Sequence, residues 1–272
     1  MMTATCDLHS HSLYSDGALT PTALVDLAAS RGVGILALTD HDTVDGLEEA
    51  RARAGKHGLE LVSGIELSVE EGSYDVHLLG YFISRPAALG DALTDIRRER
   101  VSRAERIVEL LAGLGIAIEY AAVEARARGG VVGRPHVAEE VVARGHAATL
   151  NEVFDRFIGL DRPAYVAKRS VGLGEGVRLL REAGAVPVVA HPGASGVDDL
   201  IPWLRDLGVL GLEVWHPKHD ERATRHYRSA CSRHGLLPTG GSDFHREMPG
   251  GILPGDLKIP ADVVDALRPH AT

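Results

Sequence analysis

Seven short apolar runs, at roughly 4–9, 33–39, 60–67, 75–83, 186–190, 209–215 and 236–241, read as β-strands. Between many of them the apolar positions switch to a helical spacing. Thr20-Pro21 supplies an N-cap followed by proline at the first helical position, with Leu24, Leu27 and Ala28 as the buried stripe and Gly32 as the stop. Further helices are expected at about 44–57, ending at Gly58, near 197–207, ending at Gly208, and near 219–234, ending at Gly235. Strand alternating with helix predicts a parallel α/β arrangement. The connection between the third and fourth strands is short, which points to a local hairpin there.

From 89 to 183 the pattern changes. Helical periodicity continues without a convincing strand, broken by Gly113-Leu114-Gly115, Gly129-Gly130 and Gly172. The first helix of this block interleaves Arg97, Arg98, Arg100, Arg103 and Arg106 with glutamates, the pattern of a solvated, ion-paired face. The block is expected to form a helical cap (89–183) on a barrel made of residues 1–88 and 184–272. There is no internal repeat or low-complexity linker.

The polar residues that interrupt this pattern are concentrated where apolar runs stop. His9 and His11 share one face if the strand holds there, since residues two apart on a strand point the same way. Asp16, Asp40-His41-Asp42, Glu66, Asp75-Val76-His77, His191 and Asp243-Phe244-His245 follow, almost every one where a short apolar run stops. The C-terminal ends of strands are where a β/α barrel carries its catalytic groups. Imidazole with carboxylate suits zinc, manganese, iron and similar cations, and so charged a cavity needs cations to neutralise it. His57, His146, His219, His226, His234 and His270 fall on helices, their edges or the tail, and read as surface or structural residues.

Composition narrows the class. The 272 residues, 44% hydrophobic, suffice for one large domain or one domain plus an insert, and with only 4% aromatics the core must be aliphatic. A net charge of −9 argues against an extended nucleic-acid footprint, so no long duplex partner is expected. Cys6 and Cys231 form no metal-type pair and read as buried, reduced thiols of a cytoplasmic protein. No leader-like segment opens the chain and no apolar run approaches a membrane span, so no membrane partner is expected; no obligate protein partner is evident either.

Asp7-Leu8-His9-Ser10-His11, Ser15-Asp16-Gly17, Thr39-Asp40-His41, Gly64-Ile65-Glu66, His77-Leu78-Leu79-Gly80, Ala190-His191-Pro192 and Gly241-Ser242-Asp243-Phe244-His245 together resemble the PHP family, named for polymerase and histidinol phosphatase. The resemblance covers essentially the whole chain. It implies a distorted seven-stranded (β/α)7 barrel and three divalent metal ions, manganese first, with iron, zinc or magnesium as alternatives. His9, His11, Glu66 and Asp243 would hold the first, Glu66, His77 and His191 the second, and Asp16, His41 and His245 the third. It also implies hydrolysis of phosphate esters by a hydroxide held between two metals. Gly133-Arg134-Pro135-His136 resembles the branch acting on nucleotides and short RNA.

Pro135 at a helix start places the first amides of a helix at 136–143 beside Arg134, a favourable anion site. His216, which ends the sixth strand after Glu213-Val214-Trp215, is expected at the barrel mouth as a phosphate contact. Arg134, His136 and His216 are thus the expected catalytic cations, stabilising charge on the phosphoryl oxygens, with Lys168 (and Arg169 beside it) as a further substrate contact. The expected substrates are 3′,5′-nucleoside bisphosphates, 5′-nucleotides or short RNA trimmed from its 5′ end. The alternatives are a phosphatase for histidinol phosphate or another small metabolite, and a non-catalytic metal-binding module.

Overall fold

The computed structural model describes residues 5–168 and 171–272, so Arg169 lies outside the described residues. In chain order the elements are β1 (Thr5–Asp7), α1 (Pro21–Ser30), β2 (Val33–Leu38), α2 (Leu47–His57), β3 (Glu60–Glu71), β4 (Tyr74–Tyr81), α3 (Gly90–Gly113), α4 (Tyr120–Arg126), α5 (Arg134–Ala143) and α6 (Leu150–Val153). There follow β5 (Val171–Gly172), α7 (Leu173–Glu182), β6 (Val186–Val189), α8 (Pro192–Ser195), α9 (Ile201–Leu204), β7 (Gly211–Trp215), α10 (Glu221–His234), β8 (Leu237–Gly240), β9 (Ile259–Pro260) and α11 (Asp262–Leu267).

The strands form one sheet in the order β8-β7-β6-β4-β3-β2-β1-β9. Its two ends meet. Leu8 N–H donates to Gly240 O at 3.1 Å, His11 N–H donates to Phe244 O at 2.9 Å, and Ser10 bridges in parallel to Phe244. The result is a nearly closed barrel flanked by helices. Most neighbours run parallel, but β4 is antiparallel to both β3 and β6, as the short link between the third and fourth apolar runs suggested. Reversing one strand distorts the barrel and sets His77 facing Glu66.

The seven expected strands are present, and two short ones were not foreseen. β5, inside the stretch expected to hold no strand, pairs in parallel with β3, and β9 pairs antiparallel with β1. Two residues are too few for an alternation of side chains to register in sequence. The helix expected at 197–207 is broken into a 3₁₀ turn, Asp198–Leu200, and α9, with Pro202 at the join. Elsewhere the capping chemistry works as written. Thr20 Oγ1 accepts from Ala23 N–H at 3.1 Å at the start of α1, and Gly235 closes α10 at φ 65°, a left-handed conformation that favours glycine.

Among the described residues the apolar side chains gather in four clusters, three around the barrel and one in the block above it. The barrel strands bury Ile65, Leu67, Leu78, Val189 and Leu212 against their helices. The block above the barrel has a core of its own, with Ile107, Leu111, Val123, Val137, Val141 and Ile158. Each such side chain, fully buried, contributes roughly 1.5–3 kcal/mol. Helix α7 lies within 89–183 yet belongs with the barrel, because its stripe Leu173, Val177 and Leu180 packs into the β3–β4–β6 wall. The first turns of α3, through Leu93 and Ile96, do the same. Among the described residues no helix is long and apolar enough to cross a membrane.

Candidate metal centre and phosphate pocket

The site begins with the extended residues that follow β1. Asp7, fully enclosed, accepts from Ser242 N–H at 2.9 Å and Gly255 N–H at 3.0 Å, tying the end of β1 to the segment after β8. That brings His9 and His11 against Asp243. At Gly241 a Cβ would lie 2.3 Å from His9 Cβ, so a side chain there would force the two segments apart. Asp40 accepts from Ser12 N–H, Ser12 Oγ and Ser15 Oγ, each at 2.6 Å, folding the 12–15 turn so that Asp16 returns beside His11. His191 and Asp243 have φ of 26° and 49°, sparsely populated for residues with a side chain. Such strain persists where surrounding contacts impose it.

Glu66 is the hub. Its Oε2 lies 3.1 Å from His9 Nε2, 3.2 Å from His11 Nε2 and 3.1 Å from His41 Nδ1. Its Oε1 lies 2.7 Å from His77 Nδ1 and 2.9 Å from His191 Nε2. Asp243 Oδ1 sits 3.3 Å from His9 Nε2 and 3.2 Å from His11 Nε2, while Asp16 Oδ1 is 3.1 Å from His245 Nε2. All nine ligand candidates from the sequence therefore meet. Their ligand atoms form three overlapping groups, each within 4.8 Å: His9, His11, Glu66, Asp243; His41, Glu66, His77; and His11, Asp16, His41, His245. The grouping differs from the expected one in that His41 and His11 are shared, while His191 reaches the centre through Glu66.

These residues suit cations better than they suit one another. His11 Nδ1 and Nε2, His41 Nδ1 and Asp16 Oδ1 are buried without a hydrogen-bond partner among the described residues, although carboxylates or imidazoles lie close by. Buried polar atoms are normally paired, and these converge on one another with the wrong geometry for hydrogen bonds. Burial alone would raise the Glu66 carboxyl, but His41, His9 and His77 hold it well below the usual carboxylate range. Asp16 and Asp243 are held low in the same way, against burial, by His245 and His41 and by His9 and His245 respectively. The imidazoles divide. Burial pushes His41 down to about 3, whereas at His11 the carboxylates of Asp243 and Glu66 outweigh burial and lift it to about 10. Ionised carboxylates facing nitrogen lone pairs are the donor set of a borderline divalent cation.

Glu213 was not singled out from the sequence, yet it contacts two of the ligand candidates at once. Buried on β7, it sits 2.9 Å from His9 Nδ1 through Oε1 and accepts from His191 N–H at 2.8 Å through Oε2. The available signal was a carboxylate in the middle of the apolar run Gly211-Leu212-Glu213-Val214-Trp215. His216 is placed differently from expectation. Its ring is fully enclosed, with Nε2 3.2 Å from Asp243 Oδ2 and Nδ1 accepting from Lys218 N–H at 3.1 Å. It supports Asp243 from behind instead of facing the mouth. His136 is likewise buried. Its Nδ1 accepts from Gly133 N–H at 3.1 Å, closing the start of α5, and it lines a neighbouring cavity that Asp16 also borders.

Arg134 and Lys168 do share a cavity with three of the ligand candidates. About 160 Å³ in volume, it lies between Asp16, His41 and His77 on the barrel and Arg100, Arg103, Arg134, Phe154 and Lys168 above. Asp75 gathers two of these cations, with Lys168 Nζ at 2.6 Å and Arg134 at 3.6 Å. Arg100 donates to Asp42 at 2.6 Å and to Ser68 Oγ at 2.9 Å. Arg100 and Arg103 thus correct the reading of α3 as a wholly solvated arginine face; only Arg98 and Arg106 keep to that pattern, paired with Asp95 and Glu109. The helix is 24 residues long and passes from barrel to cap, and Arg97, Arg100 and Arg103 recur at the spacing of one face, turned inward. Arg97 bonds Thr43 and Asp45 at 2.7 and 2.8 Å, anchoring α3 to the loop after β2.

Comparison with known proteins agrees with this geometry. The PHP domain family model matches residues 7–160; the ligand candidates His191, Asp243 and His245 lie beyond that match. The chain is 36% identical over 256 residues to a 3′,5′-nucleoside bisphosphate phosphatase of Chromobacterium violaceum, covering 91% of this chain and 90% of that one. It is 32% identical to a 5′-3′ exoribonuclease of Haemophilus influenzae, covering 98% of each. A solved structure from Bifidobacterium adolescentis, described as a candidate metal-dependent phosphoesterase, superposes with a TM-score of 0.91 at 29% identity, covering 99% of this chain and 97% of that one. A barrel of this shape, with these relatives, defines a metal-dependent phosphoesterase. The chain belongs to the PHP family.

Proposed function

We propose that this chain removes phosphate from small nucleotides, with 3′,5′-nucleoside bisphosphates as the preferred class. The observation that carries the reading is the cavity that joins His41, His77 and Asp16 to the cations Arg100, Arg103, Arg134 and Lys168. It offers an anion several donors within a small volume, under a cap that limits entry.

His9, His11, Glu66 and Asp243 would hold one metal, Glu66, His77 and His191 a second, and Asp16, His41 and His245 a third, with manganese the first candidate. Bound there, divalent cations supply Lewis acidity, activating water and neutralising charge on phosphoryl oxygens. The chain's own residues set the geometry. Arg134 and Lys168 exchange Asp75 for phosphate oxygens, to which an arginine fork can bind in a bidentate way. His136 acts through the start of α5, fixing the turn that carries Arg134. Glu213 orients His9, and His216 orients Asp243. Residues with their own core above the barrel serve as the cap. The two unpaired, buried thiols support a cytoplasmic site of action.

A second reading, trimming of short RNA from its 5′ end, is favoured by the exoribonuclease relative that aligns over 98% of both chains. The net charge of −9 limits it to short substrates, since long ones need many phosphate contacts. The test compares kcat/KM, with Mn²⁺, for adenosine 3′,5′-bisphosphate, AMP, histidinol phosphate and 5′-phosphorylated oligoribonucleotides of increasing length, at two salt concentrations. The bisphosphate should lead and salt dependence should be shallow. A steep rise with RNA length, lost in salt, would put the nuclease reading first, and a lead for histidinol phosphate would remove the nucleotide one.

A further inference from the structure

Asp16, His41 and His245 lie on the loops after β1, β2 and β8, and each of these loops is held by the helical block above the barrel. Beside Asp16, Val131 N–H of the block donates to Tyr14 O at 3.0 Å. Gly130 packs there so closely that a Cβ would lie 2.4 Å from Leu13 O and 2.8 Å from Tyr14 O. Beside His41, Arg100 donates to the enclosed Asp42 at 2.6 Å, from the part of α3 that enters the block. Beside His245, Arg246 pairs with Glu139 of α5 at 2.5 Å. The first and last of these loops are also tied to each other, since Ala18 N–H donates to His245 O at 2.7 Å.

The other ligand candidates take their positions from the barrel. Glu66 and His77 lie within β3 and β4. Glu213 of β7 meets His9 and the His191 amide, and His216 supports Asp243. Asp75, two residues before His77, does pair with Lys168 and Arg134. Yet β4 is hydrogen-bonded on both sides, to β3 and β6, so the position of His77 does not depend on that pair. A ligand on a loop is only as well placed as the contacts that hold the loop. The buried atoms left without a hydrogen bond, Asp16 Oδ1, His41 Nδ1 and both nitrogens of His11, all belong to the group that Asp16, His41 and His245 complete. Those side chains do not hold one another, so what holds their loops decides how they meet a cation.

We propose that the helical block is part of the metal centre: by holding the loops of Asp16, His41 and His245 it sets the affinity of the third cation. Gly130 is the positioning residue through which it does so at Asp16. This rests on the reading above that these three residues hold a metal. Such coupling is reciprocal, so a cation in the third position also steadies the block on the barrel. The affinities of the other two cations are independent of the block.

The test titrates the chelator-stripped full chain with Mn²⁺ and counts the ions bound per chain by equilibrium dialysis and elemental analysis. The wild type is compared with Gly130→Ala, Glu139→Ala and His245→Ala. Gly130→Ala should weaken one ion by about 10- to 100-fold, the usual scale for contacts that hold a ligand in place. The other two should stay within about twofold, which also shows that the barrel has folded. Glu139→Ala removes a partly exposed pair and should weaken the same ion about two- to fivefold. His245→Ala identifies that ion by losing it, and adding Gly130→Ala should then leave the two tight ions as they were. An unchanged third ion in Gly130→Ala, or all ions weakened alike, would overturn the proposal and leave the three-metal reading standing. If that variant does not fold, an unchanged third ion in Glu139→Ala overturns it. A wild type that binds fewer than three ions would overturn the three-metal reading itself, and the proposal with it.

Discussion

Glu213 Oε1 lies 2.9 Å from His9 Nδ1, at the floor of the metal centre where neither side chain meets solvent. With Nδ1–H donating to the carboxylate, Nε2 is the nitrogen that presents a lone pair toward Glu66 and Asp243. Carboxylates that orient ligating histidines are typically worth 10- to 100-fold in metal affinity or activity. Glu213→Gln should therefore weaken metal binding by about 10- to 100-fold while keeping the fold. Competition with a chelator of known affinity measures it. An unchanged affinity would show that His9 needs no such support.

Glu66 contacts five imidazoles, and both of its oxygens are committed. Glu66→Gln keeps the shape, removes the charge and replaces one acceptor by a donor. The variant should lose at least one bound metal per chain and most of its turnover, by about a hundredfold or more if two-metal chemistry fails. Elemental analysis and phosphate release are the checks. Full metal content with near-normal turnover would take Glu66 out of the site.

Metal loading should release protons. In the metal-free chain burial opposes a charged His11, but Asp243 and Glu66, each 3.2 Å away, outweigh it and the pKa rises to about 10. A coordinating imidazole must be neutral, so below that pH the incoming cation has to displace the proton. Apparent metal affinity should accordingly climb with pH from neutrality toward about 10. Calorimetry in buffers of different ionisation enthalpy reads the protons released. Affinity that falls with rising pH, or binding without proton release, would contradict the arrangement.

Arg134 separates binding from chemistry by substrate size. It stands on the cap at the start of α5, paired with Asp75 at 3.6 Å. Arg134→Ala should raise KM for nucleotides about tenfold or more, and should affect a small aryl phosphate, which makes fewer contacts with the cap, much less. Steady-state kinetics on both substrates decide it. Equal losses in kcat would move Arg134 to the phosphoryl group that reacts.

Much of this was legible before any coordinates. Most ligand candidates stood where apolar runs stop, because a barrel strand is apolar until it reaches the mouth; Glu66 and His77 instead lie within β3 and β4. The hairpin of β3 and β4 showed in the short link between the third and fourth apolar runs, which the structure narrows to Gly72 and Ser73. The buried supports were less visible. Glu213 sits inside a strand as a carboxylate among apolar neighbours, and only the folded barrel places it under His9. His216 looked like a mouth residue because it follows β7, but the chain turns inward there and Lys218 N–H caps its ring. The inward arginines of α3 leave no such sign in the sequence, because the cavity they line exists only where the helical block meets the barrel. β5 and β9 are too short to leave a pattern.

Hydrolysis should require divalent cations held around Glu66. The direct measurement strips the protein with a chelator, restores Mn²⁺ in increments and follows phosphate release from adenosine 3′,5′-bisphosphate against metal bound per chain. The stripped protein should be inactive, and turnover should rise with bound metal until the sites around Glu66 are filled. Undiminished turnover in protein shown to be metal-free would contradict the account.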